Sequence, residues 1–129
     1  MTKHTFLFTR TYDNLAEVLT DYKLASLGDA YINFSYSLAL SNKKREARGV
    51  KVKGSVLAEA LRKAGLRENL PARMSRHALA DAAEALVVYG WLNGYVALEE
   101  SVAILEKADD PIEGFSQLLI QTKNRARLS

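Results

Sequence analysis

The chain has 129 residues, is 48% hydrophobic and carries 18 Lys and Arg against 15 Asp and Glu. That is enough apolar content for one folded domain and too much for intrinsic disorder. With no cysteine and only His4 and His77, disulfides, thiolate or multi-histidine metal sites, iron–sulfur clusters and a Cys nucleophile are excluded; a metal would sit among carboxylates, whose oxygens suit Mg²⁺ or Mn²⁺.

Hydrophobic spacing predicts helices almost throughout. Leu15, Val18, Leu19 and Tyr22 space like a turn or two of amphipathic helix within residues 13–22. A longer helix is expected from about Lys23 to Leu40, with Leu24, Leu27, Tyr31, Phe34 and Leu38 on one face. Asn42 to Gly54 reads as a basic connector. Ser55 is the expected cap of a short helix running to Lys63, and Gly65 its stop. Arg67 to Arg73, with Pro71, reads as a loop or turn. A fourth helix is expected after Ser75, ending near Asn93-Gly94, and a fifth over about Leu98 to Lys107. The last opens at Asp110-Pro111-Ile112-Glu113, a cap, a first-turn proline and a Glu placed to reach back. Only Thr5 to Thr9 hints at period two. The expected fold is all-α, one domain over 1–129, without internal repeats.

The longest uncharged run, Ala85 to Leu98, has 14 residues, short of the roughly 20 that span a bilayer. Met1 to Thr11 is too short in apolar residues for a signal-peptide core. The expectation is a cytoplasmic protein with no membrane contact.

Charge is unevenly placed. Lys43 to Arg76 holds eleven basic and three acidic side chains, a local +8 within a chain of net +3. Clustered Lys and Arg suit a polyanion, because they release counterions from phosphates; the competing reading is an ordinary solvated surface. No aromatic residue lies within 43–76, which favours duplex phosphates over stacked single-strand bases.

The fourth helix has its only charges at Asp81 and Glu84 between Ala78 and Leu98. A helix apolar on nearly every side is usually interior, and bare buried carboxylates must be paired, protonated or bound to a cation. Spaced three apart, these two share a face, and like charges so close raise one another's pKa. Asp29 sits in another stretch expected to be interior, Leu27-Gly28-Asp29-Ala30-Tyr31-Ile32, where Gly28 suggests close approach of a second helix. The three acids could converge on one divalent ion. Ordinary alternatives exist for each: an Arg or Lys partner for Asp29, the helix dipole for Asp81, solvent for Glu84. His77 reads as a helix-start residue, and Tyr89, Trp91 and Tyr95 as packing residues.

Leu24-Ala25-Ser26-Leu27-Gly28-Asp29-Ala30 resembles the ribonuclease III signature Leu-Glu-Phe-Leu-Gly-Asp-Ala. Leu79-Ala80-Asp81-Ala82-Ala83-Glu84-Ala85-Leu86 resembles the second acidic motif of that family, Leu-Ala-Asp-x-x-Glu-Ala-Leu. Between them, the stretch from Val52 to Leu66 is similar to the intervening helix and its Gly-Leu ending. The resemblance covers roughly residues 20–95. It implies an all-helical endonuclease domain that cuts double-stranded RNA with Mg²⁺ as a homodimer, with Asp29, Asp81 and Glu84 at the metal. Lys43, Lys44, Arg45, Arg48, Lys51 and Lys53 would then bind the duplex backbone. Two positions depart from the pattern: Ala25 stands where the signature has Glu, and Ser26 where it has the Phe of the dimer interface. The Mini-ribonuclease III branch also lacks that Glu and a separate RNA-binding domain, and is closest in layout. The other reading left by Ala25 is a catalytically inactive member serving as an RNA-binding or ribonucleoprotein component.

Overall fold

A computed structural model describes residues 6–129. Among these residues there are six α-helices and no strand: α1 (Leu15–Leu19), α2 (Tyr22–Lys44), α3 (Gly54–Lys63), α4 (Arg76–Leu92), α5 (Leu98–Lys107) and α6 (Pro111–Ala126), with a single 3₁₀ turn at Arg67–Asn69. The all-α expectation holds. Thr5 lies outside the described residues, and Phe6 to Thr9 close a turn by a hydrogen bond from Thr9 N–H to Phe6 O at 3.3 Å.

Side-chain caps fix most helix starts. Asn14 accepts from Glu17 N–H, Asp21 from Leu24 N–H, Ser75 from Ala78 N–H and Asp110 from Glu113 N–H, all at 2.9–3.0 Å, satisfying amides that have no partner within the helix. Asp21 also accepts from the Tyr12 hydroxyl at 2.6 Å and Arg10 at 3.3 Å. Burial would push this carboxyl up; those hydrogen bonds and the Arg10 charge outweigh it and hold it below the usual range.

Several expected boundaries are corrected. The first helix is confined to Leu15–Leu19, because Asp21 caps the next one. That helix, α2, runs to Lys44 rather than Leu40, so Lys43 and Lys44 are helical rather than part of the connector. Lysines in a last turn suit the negative end of the helix dipole, and Arg45 leaves α2 in the left-handed region with φ 54°. α3 starts at Gly54, after Lys53, without a side-chain cap, so Ser55 does not play that part. Gly65 follows α3 with φ 77°, as its place in the sequence suggests. At α6 the reciprocal cap is only half made: Glu113 pairs with Lys63 and accepts from Gln117 instead of reaching back.

α4 is the central element. From Ala82 to Gly90 every residue is buried, and α4 packs against α1, α2, α3 and α6. Leu79, Leu86, Leu57, Leu61, Ile32 and Phe115 form much of the interior, each no more than 2% exposed. Tyr89 and Trp91 are packing residues as expected, with ring centroids 5.6 Å from Tyr12 and 5.5 Å from Tyr31 respectively.

α2 crosses α4 at Gly28. A Cβ there would lie 2.0 Å from the Glu84 carbonyl oxygen and 2.5 Å from its carbon. Only hydrogen fits, and the obstacle is backbone, which cannot rotate aside. Gly28→Ala is therefore expected to cost about 3 kcal/mol or more, at or beyond the upper end of overpacking penalties. Gly54→Ala, whose Cβ would meet Ala80 at an ordinary 3.7 Å, should be near neutral. Equal urea midpoints for Gly28→Ala and wild type would contradict this close crossing.

Candidate active site

The crossing at Gly28 sets the geometry of the acids. Asp29 follows Gly28 directly on α2, and Asp81 and Glu84 lie one turn apart on α4. All three line one cavity of about 410 Å³, together with Ala25, Val52 and His77. Sequence-distant carboxylates are thus brought to a common hollow, at the place where two backbones touch.

Their environments differ. Glu84 is buried, 8% exposed; Asp81 is half-buried; Asp29 is exposed, contrary to the interior position expected for it. Its stretch lies on the flank of α2: Leu27 and Ala30 are also exposed, while Gly28 and Ile32 face inward. Burial pushes the Glu84 carboxyl up to about 8, and the neighbouring Asp29 and Asp81 carboxylates push the same way. Without a cation, Glu84 therefore holds a proton at neutral pH, the cheapest way to keep an acid in a low-dielectric site between two others.

Among the described residues no arginine or lysine neutralises the set. Among the described residues neither Asp29 nor Glu84 is in an ion pair, and Asp81 faces only His77, with Nε2 3.9 Å from Oδ2. The His77 side chain is 90% exposed in the first turn of α4, as its position in the sequence suggests. Among the described residues Asp29 has no Arg or Lys partner; Asn33, one turn further along α2, donates to its Oδ1 at 3.4 Å. Asn33 also accepts from Val52 N–H at 2.8 Å, joining the acids to the basic connector. Sequence reasoning missed this residue; its signal was the four-residue spacing from Asp29.

The donor set suits a hard cation. The three acids offer oxygen only, no Lys or Arg competes among the described residues, and Glu84 is pushed up first by burial and then by its two acidic neighbours. Among the described residues no three Asp, Glu or His side chains are drawn closely enough to hold a metal ion as they stand. Ala25, 2% exposed, lines the wall where the signature acid is missing.

Lys43, Lys44, Arg45, Arg48, Lys51 and Lys53 are all exposed. Among the described residues only Arg48 of this group has an ion pair, 3.7 Å from Glu46. Other basic residues of the +8 region serve the fold: Arg62 pairs with Glu59, Lys63 with Glu113, and Arg67 donates to the carbonyls of Pro71 and Ala72. Among the described residues no helix is long and apolar enough to cross a membrane.

Comparison with curated proteins gives no match. Comparison with protein families matches ribonuclease III over residues 22–123, most of the chain and including every acid of the cavity. The match and the six-helix fold agree with the motifs at Asp29 and at Asp81 and Glu84, and the compact layout is consistent with the Mini-ribonuclease III branch. The chain belongs to the ribonuclease III family.

Proposed function

We propose that this domain is a metal-dependent endoribonuclease that hydrolyses phosphodiester bonds of double-stranded RNA in RNA processing. The observation that carries the reading is the cavity that Asp29, Asp81 and Glu84 line together, with no Lys or Arg paired to them among the described residues. Asp29, Asp81 and Glu84 would hold Mg²⁺, or Mn²⁺ in its place. Bound there, the ion supplies activation of water near neutral pH and stabilises charge developing on the phosphate.

The residues of the chain do the rest. Glu84, anchored in the buried wall, would hold the ion through its carboxylate and so would have to be deprotonated in the loaded site. Asp29 and Asp81, nearer solvent, keep the open side polar and accessible to a phosphodiester. Lys43, Lys44, Arg45, Arg48, Lys51 and Lys53 attract the duplex backbone, which makes affinity steeply salt dependent. Water fills the space left by the absent signature acid beside Ala25.

Purified protein with Mg²⁺ is expected to cleave duplex RNA. Glu84→Ala should lose at least about 100-fold in rate, of the order seen when even the residues supporting a metal's ligands are removed, and Glu84→Gln, which keeps the shape of the protonated side chain, should fold normally and be equally impaired. Equal inertness of wild type and both variants in Mg²⁺ and Mn²⁺, with duplex binding unchanged by EDTA, would instead select an inactive RNA-binding component, the reading that Ala25 favours.

A homodimer belongs to the same proposal. Leu27 and Phe34 on one stripe of α2, with Phe8 beside Leu27 in an apolar hollow of about 360 Å³, are 39%, 54% and 58% exposed. This is a surface that a second copy would cover, with Ser26 exposed in place of the family's aromatic residue. Sedimentation equilibrium is expected to read twice the chain mass of 14.3 kDa, and Leu27→Glu to halve it; a monomeric wild type at micromolar concentration would refute the dimer.

A further inference from the structure

After leaving α2 at Arg45, the chain doubles back along the helix it has just completed. Asn33, Ser37 and Ser41 stand four residues apart on α2, in one row. Each binds the backbone of the returning segment. Ser41 Oγ accepts from Arg48 N–H at 2.9 Å and donates to Arg48 O at 3.2 Å. Ser37 Oγ does the same with Val50, at 2.9 and 3.2 Å. Asn33 Oδ1 accepts from Val52 N–H at 2.8 Å. The periods match: four helical residues rise about 6 Å, and two extended residues about 6.6–6.8 Å. Three rungs can therefore form before the mismatch accumulates.

The ladder gives the segment the alternation of a strand. Val50 and Val52 turn partly inward, while Gly49, Lys51 and Lys53 are exposed. Lys51 and Lys53, two apart on extended backbone, point the same way about 6.6–6.8 Å from each other, a separation that suits neighbouring phosphates of one nucleic-acid strand. The last rung also reaches the cavity: Val52 and Gly54 line it, and Asn33 binds Asp29 as well as Val52.

We propose that residues 48–53 are a preset phosphate rail, in which Lys51 and Lys53 hold successive phosphates of one strand at the lip of the carboxylate cavity and Asn33 is the positioning residue that fixes their register. This rests on the nuclease reading. The physical gain is preorganisation. Lysines on a free loop must order the backbone on binding, whereas here side-chain and backbone hydrogen bonds have already done so. The rail also ties the place where the strand is gripped to the place where it is cut.

Amide hydrogen exchange on the free protein tests the ladder, and binding of a short blunt RNA duplex in EDTA, across a salt series, tests the rail. In wild type the amides of Arg48, Val50 and Val52 should be protected relative to that of Ala47. Ser37→Ala/Ser41→Ala should lose protection at Arg48 and Val50 and bind the duplex about 10-fold more weakly. Its slope of log affinity against log salt should be retained, because no cation has been removed. Lys51→Gln/Lys53→Gln, confined to exposed side chains, should lower that slope by about 2, close to one per phosphate contact. With Mg²⁺ added, Asn33→Ala should scatter the cut position over neighbouring bonds, which a merely structural role would not do. Unprotected wild-type amides, an unchanged slope in the lysine variant, or wild-type affinity in a serine variant that has lost protection would each overturn the rail. Failure of wild type to bind duplex at low salt would overturn the nuclease reading itself, whatever the exchange pattern.

Discussion

The contact of the α2 backbone with that of α4, through the missing side chain of Gly28 against the Glu84 carbonyl, is the constraint on which the rest depends. Two helices carrying acids on flanking faces can bring them to one hollow only if their axes come this near. The same contact seats Leu86, Ile32 and Phe115 in a close-packed interior, where even one added methyl group is felt. Core packing and carboxylate convergence are thus one arrangement, and neither can be relaxed without the other.

That arrangement is electrostatically unfavourable by itself. Glu84 is buried with acids on both sides and holds a proton to remain there, in a chain with more basic than acidic residues. Some basic side chains are instead committed elsewhere. Arg125 grips Glu100 through two hydrogen bonds of 2.8 and 2.5 Å and the Tyr95 carbonyl at 2.7 Å; Lys63 holds Glu113, and Arg62 holds Glu59. Among the described residues Asn33 binds Asp29, His77 stands beside Asp81, and Glu84 shares its hydrogen bonds with the two aspartates. Among the described residues Glu59, Glu100 and Glu113 each have an Arg or Lys partner, whereas this set has none.

Much of this was legible from residue order. The fourth helix starts after Ser75 as read, and Asp110 caps the last one with the expected hydrogen bond, because a cap is a local interaction spanning three residues. Gly28 signalled the close crossing, since glycine within an apolar helix costs stability unless something needs the space. Other features depended on partners distant in sequence. Asp29 is exposed because α2 is only half covered, which its apolar neighbours disguise. Glu113 turned to Lys63, fifty residues back, and abandoned its reciprocal cap. Lys43 and Lys44 continued α2 because nothing there breaks a helix before the left-handed Arg45. Asn33, Ser37 and Ser41 were invisible as a group: their partners are main-chain atoms of residues 48–52, and main-chain atoms leave no trace in residue identity. The alternation of Val50 and Val52 with Lys51 and Lys53 was the one available sign of that extended segment.

The most direct measurement is the proton balance of cation binding. Titrating Mg²⁺ calorimetrically at pH 7, in two buffers of different ionisation enthalpy, counts the protons expelled per ion bound. A carboxyl raised to about 8 is mostly protonated at that pH, so one shared site should release close to one proton per ion, and Glu84→Gln should release none. Binding with no proton released from wild type, or the same release from Glu84→Gln, would contradict a cation held between these three carboxylates.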